Sequence, residues 1–187
     1  IYASNSGSYS VTVGDGVGVD NDYAMSFDGV DDYVESNGTV NIGLERSVCF
    51  WAQVPAGGMN VNPSNNIVSL SNDFNITFGD WGNNNKGALS LHSASSWWVA
   101  DTNVIDDGNW HFYCIEAQDG TKNTVSFYQD GVLLNTQIFD GNYSYISSNS
   151  AITFGKVIAG GNTFNGMLDE ISVWDILLDT IQIQQYM

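Results

Sequence analysis

A chain of 187 residues, 43% hydrophobic and 13% aromatic, is long enough for one domain that buries roughly 70% of the surface its unfolded form exposes. Its formal net charge of −17 reflects a shortage of bases, with Arg46, Lys86, Lys122 and Lys156 set against 21 Asp and Glu. Such a field repels phosphate backbones and anionic lipid, which excludes nucleic acid and acidic membrane surfaces and leaves divalent cations and neutral or amine-bearing ligands.

In chain order, Tyr9 to Val13 alternates as a strand and Gly14 to Asp22 reads as a Gly- and Asp-rich loop. Residues 1–22 are thus an N-terminal strand and loop, part of the following domain or the tail of a preceding one, and residues 23–187 form the main domain. Short strands are expected at Ala24 to Phe27 and Tyr33 to Glu35, and a strong one at Val48 to Val54, stopped by Pro55. Ile67 to Leu70, Asn75 to Phe78, Ala88 to His92 and Ser96 to Val99 alternate as further strands, with a polar loop at Asp80 to Gly87 and an acidic loop at Asp101 to Asn109. Trp110 to Ile138 reads as two linked hairpins, the second turning at Asp130-Gly131, a pair suited to positive φ. A loop from Asp140 to Asn149 precedes strands at Ala151 to Gly155 and Gly166 to Trp174. Asp179 with Gln182 predicts the capping box of a short final helix through Tyr186. Many short strands with almost no helix predict an all-β, antiparallel β-sandwich with jelly-roll connections.

The sequence opens at Ile1 with neither a basic-then-apolar leader nor a transmembrane run, as expected of a fragment of a longer precursor. Its two cysteines, Cys49 and Cys114, leave a bridge and two buried thiols both open. Asn37-Gly38-Thr39, Asn75-Ile76-Thr77 and Asn142-Tyr143-Ser144 match the glycosylation acceptor pattern, which chance in an Asn-rich chain also produces.

Five segments, in order, resemble the laminin G-like and pentraxin group of concanavalin A-like jelly rolls: Ser26 to Val34, Ser47 to Trp51, Asn109 to Cys114, Phe127 to Gly131 and Phe164 to Trp174. The resemblance covers about Ala24 to Tyr186. It implies a Cys49–Cys114 disulfide, a structural role for His111, and core positions for Trp51, Trp110 and Trp174. It also implies a structural Ca2+ near Asp28, Asp31 and Asp32 and the later pair Asp169-Glu170; hard oxygen ligands are what such an ion takes. The acidic segment that builds the pentraxin ligand site is missing, since Phe154 to Gly161 contains no acid.

Glycoside hydrolases share this fold and need two carboxylates across the sugar bond. The nearest stretch is Asp169 to Asp175, where strand alternation would put Ile171 and Val173 on the face of Asp169, so a hydrophobic residue replaces the middle acid. His92 is isolated, and two lone histidines give no zinc site. The remaining aromatics beside amides suggest sugar stacking: Trp81 with Asn83 and Asn84, the pair Trp97-Trp98, and Tyr143 with Tyr145. Neighbouring strand residues point to opposite faces, so one of Trp97 and Trp98 is expected to leave the core. The expectation is a non-catalytic, secreted or cell-surface recognition module for a glycan or extracellular protein. A structural adhesion spacer and a glycoside hydrolase or lyase are the alternatives.

Overall fold

The structure is a computed structural model that describes residues 2–3, 8–10, 24–39, 43–57, 65–71, 74–79, 87–93, 96–103, 107–120, 122–140, 151–157 and 163–187. Its strands are β1 (Tyr2–Ala3), β2 (Ser8–Ser10), β3 (Met25–Asp28), β4 (Val34–Glu35), β5 (Glu45–Gln53), β6 (Asn65–Ser71) and β7 (Phe74–Phe78). They continue with β8 (Ala88–Ser93), β9 (Ser96–Asn103), β10 (Trp110–Gln118), β11 (Lys122–Gln129), β12 (Val132–Asp140), β13 (Thr153–Phe154) and β14 (Asn165–Trp174), followed by helix α1 (Thr180–Gln185).

Two antiparallel sheets make the expected sandwich. The larger runs β1-β2-β14-β5-β10-β11-β12, with β3 also paired to β14; the smaller runs β4-β13-β6-β7-β8-β9. Alternation in β5 sends Val48, Phe50 and Ala52 into the space between the sheets, with Val54 just beyond its end. There they meet Tyr113 and Ile115 of β10, Phe127 of β11, and Phe74, Ile76, Phe78, Leu89 and Leu91 of the smaller sheet. Three aromatic rings tie the layers together: Phe78 lies 5.0 Å edge-on to Tyr113 and 6.4 Å from Phe50. Arg46 is fully buried and closes a 2.7 Å ion pair with Asp119, its guanidinium 5.3 Å above Phe74.

Local signals held where the chain supplies its own turn. Asp130 and Gly131 take φ of 49° and 70° between β11 and β12, and Asp179 and Gln182 form both halves of the capping box of α1. Tertiary pairing moved other ends. β9 continues to Asn103, three residues into the expected acidic loop, because Ala88 of β8 supplies a partner there. β13 is shorter than the sequence suggests: Gly155 ends it at φ 82°, where a β-carbon would overlap the Phe27 ring.

The outward face of the larger sheet is divided. Helix α1 and Leu178 lie over one half, packing Leu178 and Ile183 on Cys49, Cys114, Phe112 and Tyr128. The other half is uncovered by the helix.

Candidate functional site

Strand registers arrange the outward face in rows. From the helix-covered end these are Glu116–Ser47–Trp174, then the disulfide Cys49–Cys114 with Ser172, then Phe112–Trp51–Asp169, then Trp110–Gln53–Met167–Ser26, and finally Asn165 beside Asp28. Trp51 and Asp169 of the third row and Trp110 of the fourth line an open cleft of about 380 Å³ together with Ala24, Glu170 and Met187. A second cleft of about 380 Å³ adjoins it on the same face, around Gln53, Met167, Ser26 and Asn165. Gln53 is fixed by donating its amide to the Gly108 carbonyl at 2.6 Å.

Three of these positions, Trp51, Trp110 and Trp174, correct the sequence reading. Trp51 and Trp110 are not between the sheets. They share parity with Cys49 and Cys114, while the inter-sheet core takes Phe50 and Tyr113. Both indoles are half-buried; Trp51 braces on Phe112 at 5.5 Å and lines the cleft with Trp110. Trp174 also lies on this face, its ring tilted against Tyr186 at 4.8 Å near the helix. The usable signal was the parity of each Trp relative to its nearby Cys.

The carboxylates of the cleft come from a β-bulge. Asp169 is opposite Trp51 and Ser172 opposite Cys49, so β14 carries one residue more than β5 between those rungs. Glu170 absorbs it in the left-handed region at φ 45°. The extra residue lets two consecutive side chains, buried Asp169 and exposed Glu170, line one cleft. It also reverses parity downstream, so Ile171 and Val173 join the inter-sheet core rather than the face of Asp169, contrary to simple alternation. The Glu170 N–H donates to Asp169 Oδ1 at 2.8 Å. Partial desolvation at the cleft wall, then the neighbouring Asp169 charge, push the Glu170 carboxyl above its usual value.

The five acids expected around one ion separate into two groups. Asp28, Asp31 and Asp32 bring carboxylate oxygens within 4.8 Å of one another, all three exposed. Two backbone bonds shape that loop: Val30 N–H to Asp28 Oδ1 at 2.7 Å and Asp28 N–H to Asp32 Oδ2 at 3.0 Å. Asp169 is four residues along β14 from Asn165, the partner of Asp28, a strand distance of about 13 Å. Asp169 and Glu170 therefore belong to the aromatic cleft and not to the Asp28 loop. That loop is flanked by Tyr33, with the Lys156 ammonium 4.2 Å over its ring.

Trp81, Asn83, Asn84, Tyr143 and Tyr145 lie outside the described residues. The β9 backbone sets Trp97 opposite His92 and Trp98 opposite Leu91. His111 is held at both ring nitrogens, Nδ1 2.9 Å from Asp130 and Nε2 3.3 Å from Asp107, so it clamps the β11–β12 turn to the loop before β10. Of the glycosylation motifs, Asn75 is buried and accepts from the Ser69 hydroxyl, Asn37 is exposed, and Asn142 is outside the described residues.

A family model described as the concanavalin A-like lectin/glucanases superfamily matches residues 28–184. No curated protein sequence matches the chain. Among solved structures, domain 4 of AbnA, a GH43 extracellular arabinanase from Geobacillus stearothermophilus, in complex with arabinotriose, is similar at TM-score 0.66 and 17% identity, over 87% of this chain and 75% of that one. A heptameric SAP-like pentraxin from Limulus polyphemus is similar at TM-score 0.62 and 20% identity, over 85% and 78% of the two chains. A structure of botulinum neurotoxin type C, whose cell entry depends on interaction with two ganglioside molecules, gives TM-score 0.61 and 16% identity over 96% of this chain and 50% of that one. At these identities the likeness is one of fold.

Proposed function

Since this chain belongs to the laminin G-like members of the concanavalin A-like lectin/glucanases superfamily, we propose that it is a non-catalytic carbohydrate-binding module of a secreted or cell-surface protein. The observation that carries the reading is the cleft in which Trp51 and Trp110 stand beside Asp169 and Glu170, with Gln53 and Asn165 lining the adjoining one. Indole faces stack on the apolar faces of a pyranose, while carboxylates and amides meet its hydroxyls. The arabinotriose complex of one structural neighbour and the ganglioside dependence of another support that ligand class.

Binding without hydrolysis is supported by where the acids stand. Hydrolysis needs carboxylates on two sides of the bond, whereas Asp169 and Glu170 leave one bulge as neighbours. The disulfide fits an oxidising compartment, and no helix among the described residues is long and apolar enough to cross a membrane. In a glycan array followed by titration, Trp51→Ala and Trp110→Ala should each weaken binding about tenfold or more. An array with no binder would leave the adhesion-spacer reading in its place, and reducing sugar released from a polysaccharide would replace it with an enzyme.

A structural calcium is part of the same reading. Asp28, Asp31 and Asp32 offer the hard oxygen donors such an ion takes, close enough to share one, and its charge would brace the loop after β3. Calcium should then raise the melting temperature by a few degrees, roughly the linkage expected at moderate excess over Kd, with the gain lost in Asp31→Asn. Identical melting in calcium and in chelator counts against the ion.

A further inference from the structure

We infer that the Trp51–Trp110 cleft selects a sugar bearing a free, protonated amine, of the glucosamine type, over the same sugar in neutral form; this rests on the cleft being the glycan site. The bulge in β14 places two acids side by side on a wall whose neighbours are two half-buried indoles. Neutral hydroxyls satisfy one such carboxylate well but leave the repulsion between two adjacent ones untouched. An ammonium group answers both features at once. It donates charge-assisted hydrogen bonds to the acids and is attracted by the indole face, which holds cations better than other rings.

Glu170 reports the local field: its carboxyl is raised by partial desolvation and by the Asp169 charge beside it, the condition a bound cation relieves. The geometry is local, whereas the charge of −17 belongs to the whole chain. That difference sets the control. Acids remote from the cleft, such as Glu35 on β4 and Glu45 at the start of β5, share the long-range attraction without the site.

The test titrates three oligosaccharides of equal length, a glucosamine oligomer, its N-acetylated counterpart and a glucose oligomer, by calorimetry at near-neutral pH and two salt concentrations. The glucosamine oligomer should bind about tenfold more tightly than either neutral one. Glu170→Gln should lower glucosamine binding far more than neutral binding, abolishing the preference at an unchanged melting temperature, and Glu35→Gln/Glu45→Gln should leave the preference intact. Equal affinity for all three would overturn the amine selectivity and leave the glycan reading standing. A loss in the remote double variant as large as in Glu170→Gln would overturn it too, by showing bulk attraction. No binding of any oligomer, with Trp51→Ala indistinguishable from the parent, would remove both readings.

Discussion

Glu170 occupies backbone space that favours glycine, at φ 45°, and a β-carbon there costs on the order of 1 kcal/mol. Glu170→Gly should raise stability in urea by about that amount while weakening ligand binding. A variant that binds fully, or one that is less stable than the parent, would show that the residue is not held there for its carboxylate. His111 carries a second expectation. Burial alone would lower its pKa, but hydrogen bonds and charges from Asp130 and then Asp107 outweigh it, and the ring titrates above its ordinary value near 6.5. A folded pKa above the unfolded one means stabilisation that is complete below about 6.5 and is lost as pH rises through the folded value. Urea midpoints measured across that window should fall for the parent and stay flatter for His111→Gln; parallel curves would rule out the clamp. Neither residue was legible in full. His111 sits in a recognisable run, but its two carboxylate partners come from separate turns. Nothing in Asp169-Glu170 marks a left-handed residue, because glycine is absent.

Pairs of elements explain what could and could not be read. The Asp130-Gly131 turn and the Asp179 cap are local, fixed by residues within a few positions of each other, and both follow from the sequence. The bulge is a property of β14 against β5 and exists only once they pair, which is why strict alternation put Ile171 and Val173 on the wrong face. Trp51 and Trp110 could have been placed by parity with Cys49 and Cys114, but the resemblance to a family pointed to the core, and a half-buried indole looks the same in sequence as a buried one. The disulfide sits at this level too. Cys49 and Cys114 are direct partners in adjacent strands, separated by 65 residues of chain. Closing a loop of that length restricts the unfolded state by about 4 kcal/mol in the chain-entropy model. Cys49→Ala/Cys114→Ala should lower stability by about 2–4 kcal/mol in urea, and superimposable curves for reduced and oxidised protein would refute this.

At the scale of the molecule, the sandwich puts one apolar layer between the sheets and a smaller one under α1, leaving the rest of the larger sheet's outward face open at the aromatic cleft. That division was beyond reach of the sequence, which shows a helix of the right length but not the half-sheet it covers. The position of β14 carries a further consequence. It lies inside the larger sheet, with β5 on one side and β2 and β3 on the other, yet it comes later in the chain than every strand it joins. During synthesis, at about 5 to 20 residues per second, β5 waits on the order of 5 to 25 seconds with one edge bare. β2 and β3 have no sheet to enter in that time. The protein therefore emerges from the ribosome with its central seam open: β10 can cover one edge of β5, but the other stays bare until β14 arrives to fill it.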